Sequence, residues 1–159
     1  MAKDVPEIIR LTPSRVAAMH ELHQASFTSG WPQETFTDLL SRTHCLGLGA
    51  LQGGAPDPGA AGSNLLGFIL VSIVADEAEV LTLAVDPQYR RRGFAGALLE
   101  QAIVSAKASG AASLFLEVST DNTAAIGLYT TFGFEDVARR KGYYKSEGGA
   151  DALVMALRF

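Results

Sequence analysis

An arginine-rich turn, Arg90–Gly96, is the first group of residues whose types and spacing suit a chemical role. It lies between a strand-like segment and an apolar helical pattern. The first N–H groups of a helix have no partners within it, and glycine lets a phosphate approach the backbone. A solvated run of arginines at an ordinary turn is the alternative, but the position between strand and helix favours a pyrophosphate site. A Rossmann fold is disfavoured because Gly-x-Gly-x-x-Gly is absent.

A second candidate group consists of Glu117, in an apolar strand-like run, and Tyr129, in the helical pattern that follows. Burying an unpaired carboxylate is costly, so we expect Glu117 to face a polar cleft. Tyr129 shares a helix face with Ala125 and Phe132, which leaves a core aromatic as its alternative role. A carboxylate can accept a proton and a tyrosine hydroxyl can donate one, so both residue types suit proton transfer.

The remaining reactive residue types do not complete a site. His20 and His23 lie three residues apart on a predicted helix, but no cysteine or acidic ligand completes a metal set, so surface or packing roles are expected. Cys45 lies in an apolar stretch and is expected to be a small buried residue. His44 and Cys45 are adjacent on a predicted strand and would point to opposite faces. No metal is therefore expected.

Composition favours one globular domain over residues 1–159, since 48% of the residues are hydrophobic. The formal net charge is -4, which gives no global basic field for direct nucleic-acid binding. The longest apolar run, Leu65–Val74, is far shorter than the roughly 20 residues that span a bilayer, and the amino-terminal stretch has no apolar run typical of a signal peptide. We therefore expect a cytoplasmic protein outside the membrane, and the oligomeric state is open.

The elements that would position these residues change character along the chain. An antiparallel meander is followed by alternating strands and helices, which predicts an α/β (α+β) fold with a mixed sheet and helices on both faces. Thr12 is expected to cap the first helix, and Gly53–Ser63 is predicted to be a mobile hairpin loop rather than a domain linker. The predicted strands are Glu7–Leu11, Cys45–Gln52, Leu65–Val74, Glu79–Val85, Ser113–Val118, Phe134–Arg140 and Leu153–Leu157, and the predicted helices are Pro13–Phe27, Pro32–Leu40, Ala95–Ser109 and Thr123–Phe132.

Arg90-x-x-Gly93-x-Ala95 resembles the acyl-CoA-binding signature of the GNAT acetyltransferases, (Gln or Arg)-x-x-Gly-x-(Gly or Ala). The resemblance implies the GNAT fold, with a mixed, mostly antiparallel central sheet, and acetyl-CoA as cosubstrate without a metal. It also implies that the loop amides hold the CoA pyrophosphate and that the preceding strand pairs with the pantetheine arm. The residues that it assigns to acetyl-CoA are Leu83, Ala84, Val85, Arg90, Arg91, Arg92, Gly93, Phe94, Ala95 and Gly96, and the similarity of the run from Glu117 to Tyr129, described next, adds Asn122.

The run from Glu117 to Tyr129 is similar to one GNAT branch, the RimI-type ribosomal-protein-alanine N-acetyltransferases, with Glu-Val, Asn, Ala-Ala-Ile and Leu-Tyr in register. That resemblance implies Glu117 as the general base and Tyr129 as the general acid. It further implies a protein or peptide N-terminus as the acceptor, such as that of a ribosomal protein. Asn122 has a second expected role as the N-cap of the helix that begins at Thr123.

Three aromatic residues are candidates for contacting the acceptor. Trp31 resembles the family's Pro-Trp element in the loop over the peptide groove, and Arg139–Tyr144 is similar to the branch's Arg-Arg-x-Tyr-Tyr, which includes Tyr143 and Tyr144. Packing is the alternative role of the two tyrosines. Other acceptors, a small-molecule amine or a lysine side chain, remain open, as does a non-catalytic acetyl-CoA-binding module.

Overall fold

The computed structural model describes residues 6–52, 64–144 and 149–159, apart from the side chain of Tyr144. Within these ranges the chain has seven strands, four α-helices and two short 3₁₀ turns. The strands are β1 (Glu7–Arg10), β2 (Cys45–Leu51), β3 (Leu65–Val74), β4 (Glu77–Val85), β5 (Ser113–Ser119), β6 (Glu135–Tyr144) and β7 (Ala150–Arg158), and the helices are α1 (Val16–Ser26), α2 (Gln33–Ser41), α3 (Phe94–Ala108) and α4 (Thr123–Thr131). The predicted loop Gly53–Ser63 lies outside the described residues.

The strands form a mixed sheet with the order β1-β2-β3-β4-β5-β7-β6. Strand pairs β1–β2, β2–β3, β5–β7 and β6–β7 are antiparallel, whereas β4 and β5 are parallel. The predicted mixed, mostly antiparallel sheet is thus confirmed. The chain divides into two compact units, the first from Met1–Ser72 and Leu81–Ser105 and the second from Ile73–Val80 and Ala106–Phe159. A single domain over residues 1–159 stays a prediction.

In the first unit, the buried residues of α1 recur every three positions, so they lie on one face of the helix. Val16, Met19 and Leu22 are buried, whereas Phe27 lies just beyond the helix end and is 37% exposed. The core around this face comprises Leu11, Val16, Met19, Leu22, Phe36, Leu51, Leu65, Phe68, Leu70 and Ala84.

The predicted start of α1 was wrong. Pro13–Arg15 forms a 3₁₀ turn, and the α-helix begins only at Val16. Thr12 makes no side-chain cap bond to the backbone, because its hydroxyl instead bonds to the Ser14 hydroxyl at 2.7 Å.

In the second unit, the side chains of β5 alternate in burial, as expected for a strand with one face on the core. Leu114, Leu116 and Val118 are buried, whereas Glu117 lies on the less buried face. β6 and β7 are longer than predicted because their pairing continues to Tyr144 and Ala150. Among the described residues, no helix is long and apolar enough to cross a membrane.

Candidate active site

In the first unit, the end of β4 is fixed by a short polar turn before α3 begins. The Asp86 N–H donates to Leu66 O at 2.7 Å, and the Asp86 carboxylate accepts from Gln88 N at 2.9 Å. Arg91 and Gly93 then adopt left-handed conformations, with φ of 63° and 84°. These two residues redirect the chain from the strand into the helix, as the sequence predicted for a turn at this place.

The first turn of α3 has the features that a pyrophosphate needs. The first intrahelical bond runs from Ala97 N to Gly93 O at 3.0 Å, so the N–H groups of Phe94, Ala95 and Gly96 precede it. A Cβ added at Gly93 would meet nothing within 4 Å, so the backbone here faces open space. Such a helix end carries partial positive charge. The residues present therefore fit a phosphate group held by backbone amides.

The three arginines of the turn are all exposed, and the Arg92 guanidinium lies 5.1 Å from the centre of the Tyr89 ring. The Phe94 side chain is buried and lies against Tyr89, with ring centres 6.1 Å apart. The buried ring of Phe94 thus packs at the start of the helix, directly after the three exposed arginines. Local positive charge is concentrated here in an otherwise acidic chain.

In the second unit, Glu117 is partly exposed and forms an ion pair with Arg140. Arg140 Nη1 lies 3.2 Å from Glu117 Oε1, and the side chains are 57% and 27% exposed, respectively. Val154 of β7 pairs with Glu117 on one side and with Ala138 on the other, which brings this part of β6 within reach. An ion pair this exposed contributes roughly 0–1 kcal/mol. Another cation can therefore displace Arg140 at little cost.

Tyr129 is 7% exposed in α4, and its ring packs against Phe134 with centroids 5.8 Å apart. The packing role that the sequence left open is therefore present. Asn122 caps the same helix, since its Oδ1 accepts from Ala125 N at 3.2 Å. The expected N-cap role of Asn122 is confirmed, and its contact with CoA stays a prediction.

The β6–β7 hairpin is held by Asp151. Its carboxylate accepts from Arg139 Nε at 2.6 Å and from Gly142 N at 2.8 Å. The Gly142 N–H, followed by Arg139, lowers the pKa of Asp151. These bonds span the place where the register shifts between Arg140 and Tyr144 and where Gly142 has a φ of 61°. Asp151 thus fixes a local bend that sequence reasoning did not predict.

Beside this bend, Tyr143 is 52% exposed, and the Arg140 guanidinium lies 5.5 Å from the centre of its ring. The structure therefore brings together Glu117, Arg140 and Tyr143 in the second unit. The side chain of Tyr144, the other predicted acceptor contact, lies outside the described residues.

Trp31 of the first unit is partly buried and packs beside His23 and Phe36, with ring centres 4.9 and 5.7 Å away. His23 is buried and bonds to the Thr82 hydroxyl, so the packing role expected for this histidine is present together with a polar link that was not predicted. The signal in the sequence is Thr82, a lone hydroxyl among apolar residues of β4 that needs a partner if buried. Cys45 is buried, as expected.

Within residues 6–52, 64–144 and 149–159, no group of three or more His, Cys, Asp or Glu side chains could hold a metal ion. A comparison with protein families is decisive for the class of protein. Residues 16–134 match the family described as "Acetyltransferase (GNAT) family". The chain belongs to the GNAT acetyltransferase family. It is an acetyl-CoA-dependent N-acetyltransferase, as the resemblance of the turn before α3 to the acyl-CoA-binding signature implied.

Individual GNAT relatives cover nearly the whole chain. The [ribosomal protein bS18]-alanine N-acetyltransferase of Escherichia coli (strain K12) is 33% identical over 151 residues, 94% of this chain and 95% of the relative. The crystal structure of the ribosomal-protein-S18-alanine N-acetyltransferase from Escherichia coli has a TM-score of 0.85 at 32% identity, covering 97% of this chain and 94% of that one. The predicted resemblance to the RimI-type branch is therefore confirmed.

A solved structure of lower sequence identity has the same fold. Arabidopsis thaliana NAA60 in complex with acetyl-CoA has a TM-score of 0.85 at 22% identity, covering 98% of this chain and 99% of that chain. The fold is thus retained at low sequence identity.

Proposed function

We propose that this GNAT enzyme acetylates the N-terminal α-amine of a protein. The observation that carries the proposal is its nearly full-length similarity to the E. coli enzyme, whose name gives an alanine of ribosomal protein bS18 as its acceptor. The family match includes Trp31, Glu117 and Tyr129, three of the residues to which we assign roles. A ribosomal protein with a free N-terminus is accordingly the proposed partner.

Acetyl-CoA would be held mainly by backbone groups. The N–H groups of Phe94, Ala95 and Gly96 would bind the pyrophosphate, with the three exposed arginines before them supplying positive charge. The backbone of Leu83–Val85 would pair with the pantetheine arm, and Asn122 would add a side-chain contact. When bound, this cosubstrate supplies the acetyl group as a thioester.

Glu117 is proposed to remove a proton from the acceptor ammonium. At pH 7, deprotonating an α-amine with a pKa of about 7.8 costs about 1 kcal/mol, against about 4.6 kcal/mol for a lysine side chain at about 10.4. A single carboxylate therefore suits an N-terminal amine better than a lysine. The acceptor's ammonium would take the place of Arg140 beside Glu117, which the exposure of that ion pair permits.

Tyr129 is proposed to protonate the departing thiolate. As the nitrogen–carbon bond forms and the carbon–sulfur bond breaks, the nitrogen gives up a second proton. Of the two protons that the nitrogen loses, one in effect replaces the proton that Tyr129 donates to sulfur, so Tyr129 ends protonated. The other, first taken up by Glu117, is released to solvent. A tyrosine hydroxyl in a peptide has a pKa of about 10, close enough to that of an alkyl thiol for useful donation.

The acceptor's first residues would contact aromatic side chains. Trp31, Tyr143 and Tyr144 are proposed for this role. Trp31 and Tyr143 are both partly or largely exposed, so each has surface left for a ligand.

The test is an acetylation assay on a panel of peptides that begin with Ala, Ser, Met or Gly. Purified protein and acetyl-CoA should release free thiol with at least one of them, and the same peptide with a blocked N-terminus should release none. Thiol release with amine metabolites but with no peptide would instead establish a small-molecule acetyltransferase. Tight acetyl-CoA binding without release from any acceptor would leave a binding module.

A further inference from the structure

A buried polar link joins α1, the segment that carries Trp31, and β4. His23 Nδ1 accepts from Trp31 N at 3.1 Å, and His23 Nε2 lies 3.1 Å from the Thr82 hydroxyl. His23 is 2% exposed and Thr82 is 8% exposed. The imidazole of His23 thus connects Trp31 with Thr82, which lies 59 positions from His23 in the chain.

The geometry fixes the state of the ring. Because the Trp31 N–H donates to Nδ1, that nitrogen carries no proton, so neutral His23 carries its proton on Nε2 and donates it to Thr82. The rings of Phe27, Phe36 and Phe68 lie 4.3, 5.4 and 6.3 Å from the imidazole centre. In such apolar surroundings, a Trp31 N–H or Thr82 hydroxyl without a hydrogen-bond partner would lower the stability of the folded protein.

Further bonds hold both ends of this link. The carbonyl of Trp31 lies 3.0 Å from His20 Nδ1, so α1 contacts both polar groups of the Trp31 backbone. At the end of α1, Ser26 Oγ donates to Val85 O at 3.4 Å. β4 has a strand neighbour on each side in the sheet, so its position is fixed by strand pairing. The hydrogen bonds through His23 therefore restrain the Trp31 segment relative to β4.

We propose that His23 is a positioning residue that holds the Trp31 segment in register with β4 and thereby sets the affinity for the acceptor. The inference rests on the proposed function, in which Trp31 contacts the peptide and Leu83–Val85 binds acetyl-CoA. Only the neutral imidazole can play this part, because a protonated ring would direct an N–H at the N–H of Trp31.

The neutral state is favoured by the surroundings of the ring. Burial, with a smaller contribution from His20, lowers the pKa of His23 from 6.5 to about 4. His20 on α1 is the titratable neighbour, while the groups that face the ring from α2, β3, β4 and the Trp31 segment are Phe36, Phe68, Thr82 and Trp31.

Amide substitutions separate the two bonds of the imidazole. His23→Asn keeps an oxygen near the position of Nδ1 and can still accept from Trp31, whereas His23→Gln places its amide near Nε2 and can bond only to Thr82. Thr82→Val removes the hydroxyl with little change of shape, and Thr82→Ser retains it. A residue that merely fills space would give the opposite order in both pairs, because glutamine is larger than asparagine and valine is closer in size to threonine than serine is.

The first measurement is the fluorescence of Trp31, the only tryptophan in the sequence. We expect His23→Gln to shift its emission to longer wavelength and to increase quenching by acrylamide, while His23→Asn and Thr82→Ser stay close to the unmodified protein. Thr82→Val should give an intermediate change. Equal spectra for His23→Gln and His23→Asn would overturn the proposal, whatever the activity of the enzyme.

The second measurement is steady-state kinetics with the best peptide of the panel. A hydrogen bond contributes about 0.5–1.5 kcal/mol, so His23→Gln should raise the peptide KM by up to about tenfold. The value for His23→Asn should rise much less, with kcat and the KM for acetyl-CoA nearly constant in both variants. If the His23 variants do not fold, Thr82→Val against Thr82→Ser provides the same comparison.

The two proposals fail in different ways. An unchanged peptide KM in His23→Gln and Thr82→Val would overturn the positioning role while leaving peptide acetylation intact. Failure of the unmodified protein to acetylate any peptide would overturn the proposed function, and the fluorescence comparison would still decide whether His23 holds Trp31.

Discussion

The two compact units of this chain contribute different kinds of functional group. In the first unit, the candidate cofactor site consists of backbone N–H groups at the start of α3, and the polar side chains His23 and Thr82 are buried. In the second unit, the candidate base Glu117, its ion-pair partner Arg140 and the candidate acceptor contact Tyr143 are side chains with partial or substantial exposure. Backbone groups suit a ligand part that is the same in every turnover, whereas exposed side chains can distinguish acceptors.

This difference between the two units indicates which kind of substitution can test each candidate site. Replacing a side chain near the α3 turn leaves its amides in place, so the conformation of the backbone must be changed to damage that site. In the second unit, one side chain can be altered without disturbing the strand that carries it, because β5 is paired on both sides.

The largest expected effect is that of Glu117→Gln, which removes the proposed base but keeps a similar shape. A positioned base contributes about 10² to 10⁴-fold in rate, so kcat should fall by that order while the KM for acetyl-CoA stays constant. The matched control is Glu135→Gln on the exposed part of β6. Near-normal kcat in Glu117→Gln would remove the glutamate from the chemistry.

Tyr129→Phe should also lower kcat, by up to about 10²-fold, because it removes the proposed acid. The ring that packs against Phe134 is retained, so this packing contact should persist in the variant. A kcat unaltered by Tyr129→Phe, measured alongside an unfolding curve, would reduce Tyr129 to its packing role.

In the first unit, Gly93→Ala should raise the KM for acetyl-CoA by about tenfold, because a left-handed non-glycine residue costs about 1–2 kcal/mol and the turn would relax. Gly110→Ala is a matched control, since Gly110 also has a positive φ, 90° against 84°, and open space around it. Both variants should lose similar stability. Equal cofactor KM values in the two would contradict a cofactor site at the turn.

Arg140→Gln is expected to have a small effect in the opposite direction. Without the guanidinium, the acceptor's ammonium no longer competes for Glu117, so the peptide KM should fall by less than about fivefold, the scale of an exposed ion pair. Arg42→Gln, which breaks the exposed pair with Asp38, should leave it unchanged. A large rise in peptide KM would show that Arg140 binds the acceptor instead.

A separate expectation concerns the free energy of unfolding as a function of pH. Because the pKa of His23 is lowered from 6.5 to about 4, the unfolded chain binds the extra proton first as the pH falls. The free energy of unfolding should therefore decrease from about pH 6.5 toward pH 4, and His23→Asn should flatten this part of the curve. The measurement is denaturant unfolding at a series of pH values across this range. The control is His44→Asn, at an exposed histidine, which should leave the curve unchanged.

The sequence predicted the parts of the molecule that depend on neighbouring residues. The turn between β4 and α3, the helix that follows it and the cap at Asn122 are each determined within a few positions. The structure has all three, with α3 beginning at Phe94, one residue before the predicted start. The cost of burying an unpaired carboxylate likewise indicated that Glu117 would not be buried alone, and its side chain is partly exposed and paired with Arg140.

The contacts that the sequence did not reveal join distant segments. Glu117 meets Arg140 only because β7 lies between β5 and β6, with a register shift between Asp136 and Ala138. His23 and Thr82 are on a helix and a strand that local patterns cannot bring together. Such pairings depend on tertiary packing and strand register, which no single stretch of residues encodes.

The most direct test of the central claim is to locate the acetyl group on a peptide that has both a free N-terminus and an internal lysine. After reaction with acetyl-CoA, fragmentation by mass spectrometry should place the acetyl group on the α-amine, and Glu117→Gln should slow that product by about 10² to 10⁴-fold. Acetylation on the lysine, or equal rates in the two proteins, would contradict the account.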